Sequence, residues 1–255
     1  MREGQTQSLQ ATAQAIATVL SSQERLLYPT ALRRSAATDE YLSLYAVPTQ
    51  QNVYIDGYDD GWENIESRRF SGAPDSQLQV TVRAQTHGGY LFLMLNVKDP
   101  ESDFHKIGHP TQPNGDRLIL RLWHNSTLHE YVISTIAPGK VSAKAGRRGT
   151  GRFDPADIHG YWQDAVGGYT LELKIPLNYT DGRLGFYAVN DLGDGRETDT
   201  AGNISPDKLD TPPWLIYSPE ELQALLAPFS QQGRHIQIVD NDGWQTADIA
   251  TGEHS

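Results

Sequence analysis

The feature that most constrains this chain is a change of hydrophobic period. From Val53 to about residue 215 the apolar residues recur every second position, the spacing of a strand with one buried face. Strands are expected over Val53–Ile55, Leu78–Arg83, Tyr90–Val97, Arg117–Leu122, Glu130–Ile136, Tyr169–Ile175 and Gly185–Val189. Gly-, Asp- and Pro-rich turns separate them. Many short strands with no helical pattern between them point to an antiparallel β-sandwich rather than a βαβ fold.

The two ends follow another period. Over Gln5–Leu27, Leu9, Ala13, Ile16 and Leu20 mark a narrow stripe on an Ala-rich, polar helix. Such a stripe suits either a coiled-coil seam or a helix lying on its own domain. Pro29 stops it. Leu42–Val47 is a further short strand, and Pro48–Asn52 links it to the β region. After Trp214, Ser218-Pro-Glu-Glu221 has the order of a helix start, with Ser218 as the cap. Leu222, Leu225, Leu226 and Phe229 supply its buried face. Arg234–Asp240 and Trp244–Asp248 read as a hairpin turning at Asn241-Asp-Gly243. The expected fold is mainly β: an antiparallel sandwich over residues 50–215, inserted in a small α+β frame. The frame is the long N-terminal helix with the C-terminal helix and hairpin, residues 1–49 and 216–255.

Bulk properties narrow the function. A formal charge of −11 repels phosphate backbones, so nucleic acid is not an expected partner. No apolar run nears the roughly 20 residues of a membrane helix, and no signal peptide is visible. The chain has no cysteine, which removes disulfides and thiolate metal sites.

Four segments taken in order carry a resemblance: Val53-Tyr-Ile-Asp-Gly-Tyr-Asp-Asp-Gly-Trp62, Tyr90–Asp99, Gly168–Pro176 and Leu184–Asp191. Together they resemble a family-9-type carbohydrate-binding module of the wider DOMON-like group. The resemblance implies a sandwich that binds rather than transforms its ligand. It also implies a core role for Trp62, and a structural calcium of the kind some members carry. The flanks resemble those of extracytoplasmic sensor regions of bacterial histidine kinases, where an Ile-x-Val-Asp-x-x-Gly hairpin precedes the second membrane helix. The whole chain is similar to the sensor region of the kinases tied to proteobacterial dedicated sortase systems. That implies a periplasmic segment cut from between two membrane spans and paired through the N-terminal helix. It also implies a role in two-component signalling. The rival readings are a stand-alone carbohydrate-binding module of a secreted enzyme and a divergent hydrolase.

The residues themselves offer these candidates. Asp99, Glu101, Asp103 and His105 lie on one loop, Asp99–His109, able to hold calcium or a polar ligand; the same loop can equally be a solvated acidic turn. His105 and His109 have a zinc spacing only on a helix, which Gly108 and Pro110 oppose. Asp191, Asp194 and Asp199 fit a turn better than an ion site. Sugar stacking needs an open aromatic face. Trp62, Trp123, Trp162 and Trp214 are the candidates, and Trp123 and Trp162, at strand ends, are the expected platforms. Gly146-Arg-Arg-Gly-Thr-Gly-Arg152 reads as a loop rather than a phosphate cradle, since no helix follows it. No nucleophile elbow, Walker loop or zinc-protease motif is present, so no catalytic residue is assigned.

Overall fold

The computed structural model describes residues 2–23, 41–49, 51–109, 113–148, 153–193, 198–230, 235–239 and 245–249. Helix α1 (Arg2–Ser22) is followed by β1 (Leu44–Tyr45) and β2 (Val47–Pro48). The sandwich strands are β3 (Arg68–Ser71), β4 (Gln79–His87), β5 (Tyr90–Lys98), β6 (Arg117–His124), β7 (Thr127–Ser134), β8 (Gly139–Ser142), β9 (Lys144–Ala145), β10 (His159–Ala165), β11 (Gly168–Pro176), β12 (Leu184–Asn190) and β13 (Asp199–Gly202). Then come β14 (Leu215–Ile216), α2 (Glu220–Leu226), β15 (Ile236–Val239) and β16 (Gln245–Ile249).

Two sheets face each other. Sheet I runs β2-β4-β5-β11-β10-β8, with β3 beside β4; sheet II runs β13-β12-β6-β7-β9. All pairings within them are antiparallel except the short β2–β4 pair. The alternation in the sequence explains the core. Leu91, Leu93, Leu95 and Val97 of β5 meet Tyr169, Leu171, Leu173 and Ile175 of β11 on one inner face. Leu118, Leu120 and Leu122 of β6, with Leu184, Phe186 and Ala188 of β12, form the other. Every one of these side chains is buried. The fold is therefore the expected mainly β sandwich with small helical parts.

Several local expectations are corrected. Val53–Ile55 is not a strand. The segment crosses the outer face of sheet I, where Val53 and Ile55 pack on Trp62, Phe92 and Met94 while Tyr54 points to solvent. A covering loop with alternate residues turned down copies the period of a strand. Leu44 and Ala46, placed outside the sandwich by the sequence reading, lie in its main core, and β1 pairs in parallel with β14. Helix α2 has Pro219, not Ser218, at its cap position.

The ends form a second, smaller apolar cluster. Ile16 and Leu20 of α1 pack with Leu222 and Leu226 of α2 and with Ile238 and Ala247 of the β15–β16 pair. Ala13 and Leu9, about one and two turns earlier on the same stripe, are exposed. No described helix is long and apolar enough to cross a membrane. Residues 24–27 and 240–244, part of the expected helix and turn, lie outside the described residues.

Candidate functional site

The outer face of sheet I is closed at its centre. Glu172 of β11 stands on that face, opposite Met94, and is fully buried. It accepts hydrogen bonds from Asp56 N (2.9 Å), Gly57 N (3.0 Å) and Trp62 Nε1 (3.1 Å). Burial raises its carboxyl above the ordinary range, opposed by those donors. Gly57 sits at φ +86°, and a Cβ there would lie 2.7 Å from the Tyr161 ring. The Asp-Gly-x-x-x-x-Trp signature is thus a lid nailed to the sheet by one carboxylate, and Trp62 has the core role that the resemblance implied.

The Asp99–His109 loop is likewise tied down. Asp116, at the start of β6, accepts from Asp103 N (2.8 Å) and Asp191 N (3.1 Å). Asn114 clamps Lys106 at both ends: its Oδ1 accepts from Lys106 N (2.7 Å) and its Nδ2 donates to Lys106 O (3.1 Å). His105 N donates to Thr135 O (2.9 Å), and its Nδ1 lies 3.1 Å from Asn114 O. Asp103 pairs with Lys106 Nζ at 2.7 Å. Glu101 is exposed; Asp99 is buried, its Oδ1 accepting from Glu101 N (3.1 Å) and Asn190 Nδ2 (3.0 Å). The loop is not helical, so His105 and His109 have no zinc geometry.

Calcium can be tested against these oxygens. Asp99 Oδ2 and Asn190 Oδ1 are buried without a hydrogen-bond partner, and Asp116 is near. Both Asp116 oxygens, however, already accept backbone N–H groups. Among the described residues no three His, Cys, Asp or Glu side chains converge as a metal group. A calcium ion takes six to eight oxygens, and the described side chains alone do not supply them. Burial instead shapes the titration of these carboxyls. Burial pushes Asp116 up to about 7, and the nearby Asp99 carboxylate adds to the rise; Asp99 is raised by burial too.

Trp162 is corrected as a ligand platform. It is almost fully buried in the main core, its ring stacked on Tyr169 with centroids 4.0 Å apart. Trp123 keeps partial exposure at the end of β6. Alternation puts it on the outer face of sheet II with Arg117, Ile119 and Arg121. The Asp99 loop adjoins the other end of β6, so the expected site residues do not form one site.

Two concavities border the outer face of sheet II. A cleft of about 600 Å³ is lined by Leu42, Ser71, Arg183, Thr200, Lys208, Asp210 and Trp214, among others. Trp214 is half-buried. The Arg183 guanidinium lies 3.5 Å from its ring centroid and donates to Pro212 O (2.8 Å), while the two backbones form a β-bridge. The indole is therefore held rigidly with one face occupied. A second cavity, about 500 Å³, lies over β6, β7 and β12. Thr200 and Pro206 line both, so the loop after β13 is their common wall. Arg121 fastens that wall, donating to Ser205 O (3.3 Å), Pro206 O (2.9 Å) and Lys208 O (2.8 Å). Its Nε is bound to Glu130 at 2.9 Å. Sequence reasoning named Trp214 but did not favour it. The available signal was Arg121, a charge inside the apolar run Leu118-Ile-Leu-Arg-Leu122.

Among solved structures, the chain is similar to a family 9 carbohydrate binding module from Caldicellulosiruptor kristjanssonii in complex with cellotriose. The TM-score is 0.49 at 18% identity, covering 65% of this chain and 85% of that one. A second match is a family 9 module from the same organism in complex with glucose, with TM-score 0.47 and 17% identity over 65% and 87%. No family model matches the sequence, and no curated protein does.

Proposed function

We propose that the sandwich is a non-catalytic module that receives a carbohydrate in the cleft beside Trp214. The observation that carries this reading is the rigid, half-open indole in a cleft rich in hydroxyl and charged groups. A pyranose presents an apolar C–H face to an aromatic ring and hydroxyls to polar neighbours. Ser71, Thr200, Lys208, Asp210 and Thr211 line the same cleft and offer such partners. The volume is within the usual range for small-ligand sites. Asp210 is the one carboxylate among the described lining residues, whereas glycoside hydrolysis uses a pair.

Calorimetric titration with a panel of neutral mono- to trisaccharides tests this. Binding that Trp214→Ala removes, with the thermal melt intact, supports it. A panel without binding, or affinity unchanged in Trp214→Ala, overturns it.

A second reading sets this module in the extracytoplasmic region of a membrane sensor kinase. The observation that favours it is the separate cluster of Ile16, Leu20, Leu222, Leu226, Ile238 and Ala247, which joins the two chain ends apart from the sandwich core. In that setting the exposed start of α1 pairs with a second copy, and ligand binding shifts the balance between two arrangements of the frame. The stand-alone binding module shares the cleft but gives the frame no such task.

A further inference from the structure

The cavity over β6, β7 and β12 has a chemistry of its own. Its floor is apolar: Ile119, Tyr187 and Val189 are buried and pack together with Val132. Its lining holds Arg117, Arg121, Arg147 and Arg148 against one carboxylate, Glu130. This concentration of guanidinium groups occurs in a chain of net charge −11.

The four are not equivalent. Arg121 is spent on Glu130 and the loop carbonyls. Arg117 is 3.5 Å from Asp191 and donates to Gly115 O (2.8 Å). The Arg147 and Arg148 backbones are fixed against β7: Arg147 N donates to Glu130 Oε1 (3.2 Å), and Arg148 O accepts from Glu130 N (3.0 Å). Their side chains are exposed, and neither guanidinium makes a hydrogen bond or ion pair among the described residues. Arg147 and Arg148 both line the cavity. Two held backbones thus place two uncommitted guanidiniums at the wall of a cavity with an apolar floor.

We infer that this cavity receives the oxyanion of an acidic glycan, a uronate carboxylate or a sulfate ester, on Arg147 and Arg148. Guanidinium forks match both oxyanions in shape and charge. The inference rests on the reading of the sandwich as a glycan receptor and adds the sign of the ligand's charge.

The test compares oligogalacturonates, a sulfated chondroitin disaccharide and neutral oligosaccharides of equal length by calorimetry. Wild type, Arg147→Ala/Arg148→Ala and Trp214→Ala are titrated at low salt and at about 1 M salt, where screening extends only about 3 Å. The acidic ligands are expected to bind about tenfold or more tighter than neutral ones. The gap closes in salt and in the double arginine variant, while neutral binding stays. The stronger of the two acidic arms identifies the oxyanion. Equal affinity for neutral and acidic ligands, unaffected by the arginines, overturns the inference and leaves the Trp214 reading standing. Acidic binding without any neutral binding does the reverse. Absence of both overturns both. Because the salt titration is made on wild type, the outcome does not depend on how the variants fold.

Discussion

Glu172 Oε1 receives the indole N–H of Trp62 at 3.1 Å, across 110 residues of sequence, while its other oxygen takes two backbone N–H groups of the same lid. Removing the carboxylate strands three donors, two of them buried and one part-buried, and each buried group left unpaired costs about 1–3 kcal/mol. Glu172→Ala is therefore expected to destabilise the sandwich by several kcal/mol and to expose Trp62. A urea melt followed by tryptophan fluorescence checks both. Unchanged stability would show that the lid is held by Phe92 and Met94 alone.

The tryptophans should separate by burial. Trp62→Ala and Trp162→Ala each empty a packed site and are expected to cost about 3–5 kcal/mol, as for buried aromatics generally. Trp123→Ala and Trp214→Ala, at partly exposed rings, should cost clearly less. Parallel denaturant melts rank the four; equal losses throughout contradict the placement.

Arg121 and Glu130 are both buried and directly paired. Arg121→Met leaves Glu130 without its partner and frees the Ser205–Lys208 carbonyls. Breaking one side of a buried pair costs about 3–5 kcal/mol. Arg121→Met/Glu130→Leu should recover part of this loss, since the stranded charge is gone, but not the glycan affinity proposed for the Trp214 cleft, whose wall stays unfastened. Melts and glycan titration on both variants separate the two effects.

Stability should fall as pH rises from about 4 to 7. Asp116 titrates near 7 in the folded chain, against about 3.9 for an unfolded aspartate. Between those values the folded state holds a proton that the unfolded state has released, so its stabilising contribution is complete below about 4 and lost through about 7. Asp99→Asn keeps the acceptor for Glu101 N and Asn190 Nδ2. It also sets an amide donor where Oδ2 has no partner. The variant should be more stable than wild type at pH 8 and show a flatter profile. Urea midpoints at pH 5 and 8 decide it.

The α1 stripe divides in two. Leu9, 58% exposed, is free to form a seam, whereas Ile16 belongs to the end cluster. Association of an isolated fragment is opposed by lost translational freedom, so pairing is expected only when a parallel coiled coil is fused before Gln5. There, Leu9→Glu should weaken the dimer with no change in melting. Ile16→Glu should release α1 while the sandwich stays folded. Sedimentation and melting of the fusions test this, and a fusion in which Leu9→Glu leaves the dimer as strong as before ends the seam reading.

What the sequence made legible was whatever alternation alone controls. The runs Tyr90–Val97 and Tyr169–Ile175 name their own inner faces, and the sandwich follows. Arg68-Arg-Phe-Ser71 was not legible as a strand, because only Phe70 turns inward and the other three side chains retain exposure. Trp162 was misread for a related reason: a tryptophan among Tyr, Gln and Asp looks like a surface residue until β11 fixes its register and turns it toward Leu171. The Trp214 cleft depends on Arg183, Lys208 and Ser71, which only the folded topology brings together. No local pattern encodes that proximity.

The lid over Glu172 has one further consequence. A sandwich with two bare sheets has no preferred front. Here the middle of sheet I lies under its own chain, and the two cavities described above border the outer face of sheet II. The sandwich is therefore polarised like a hand with a palm and a back, and a glycan bound as proposed lies along the palm.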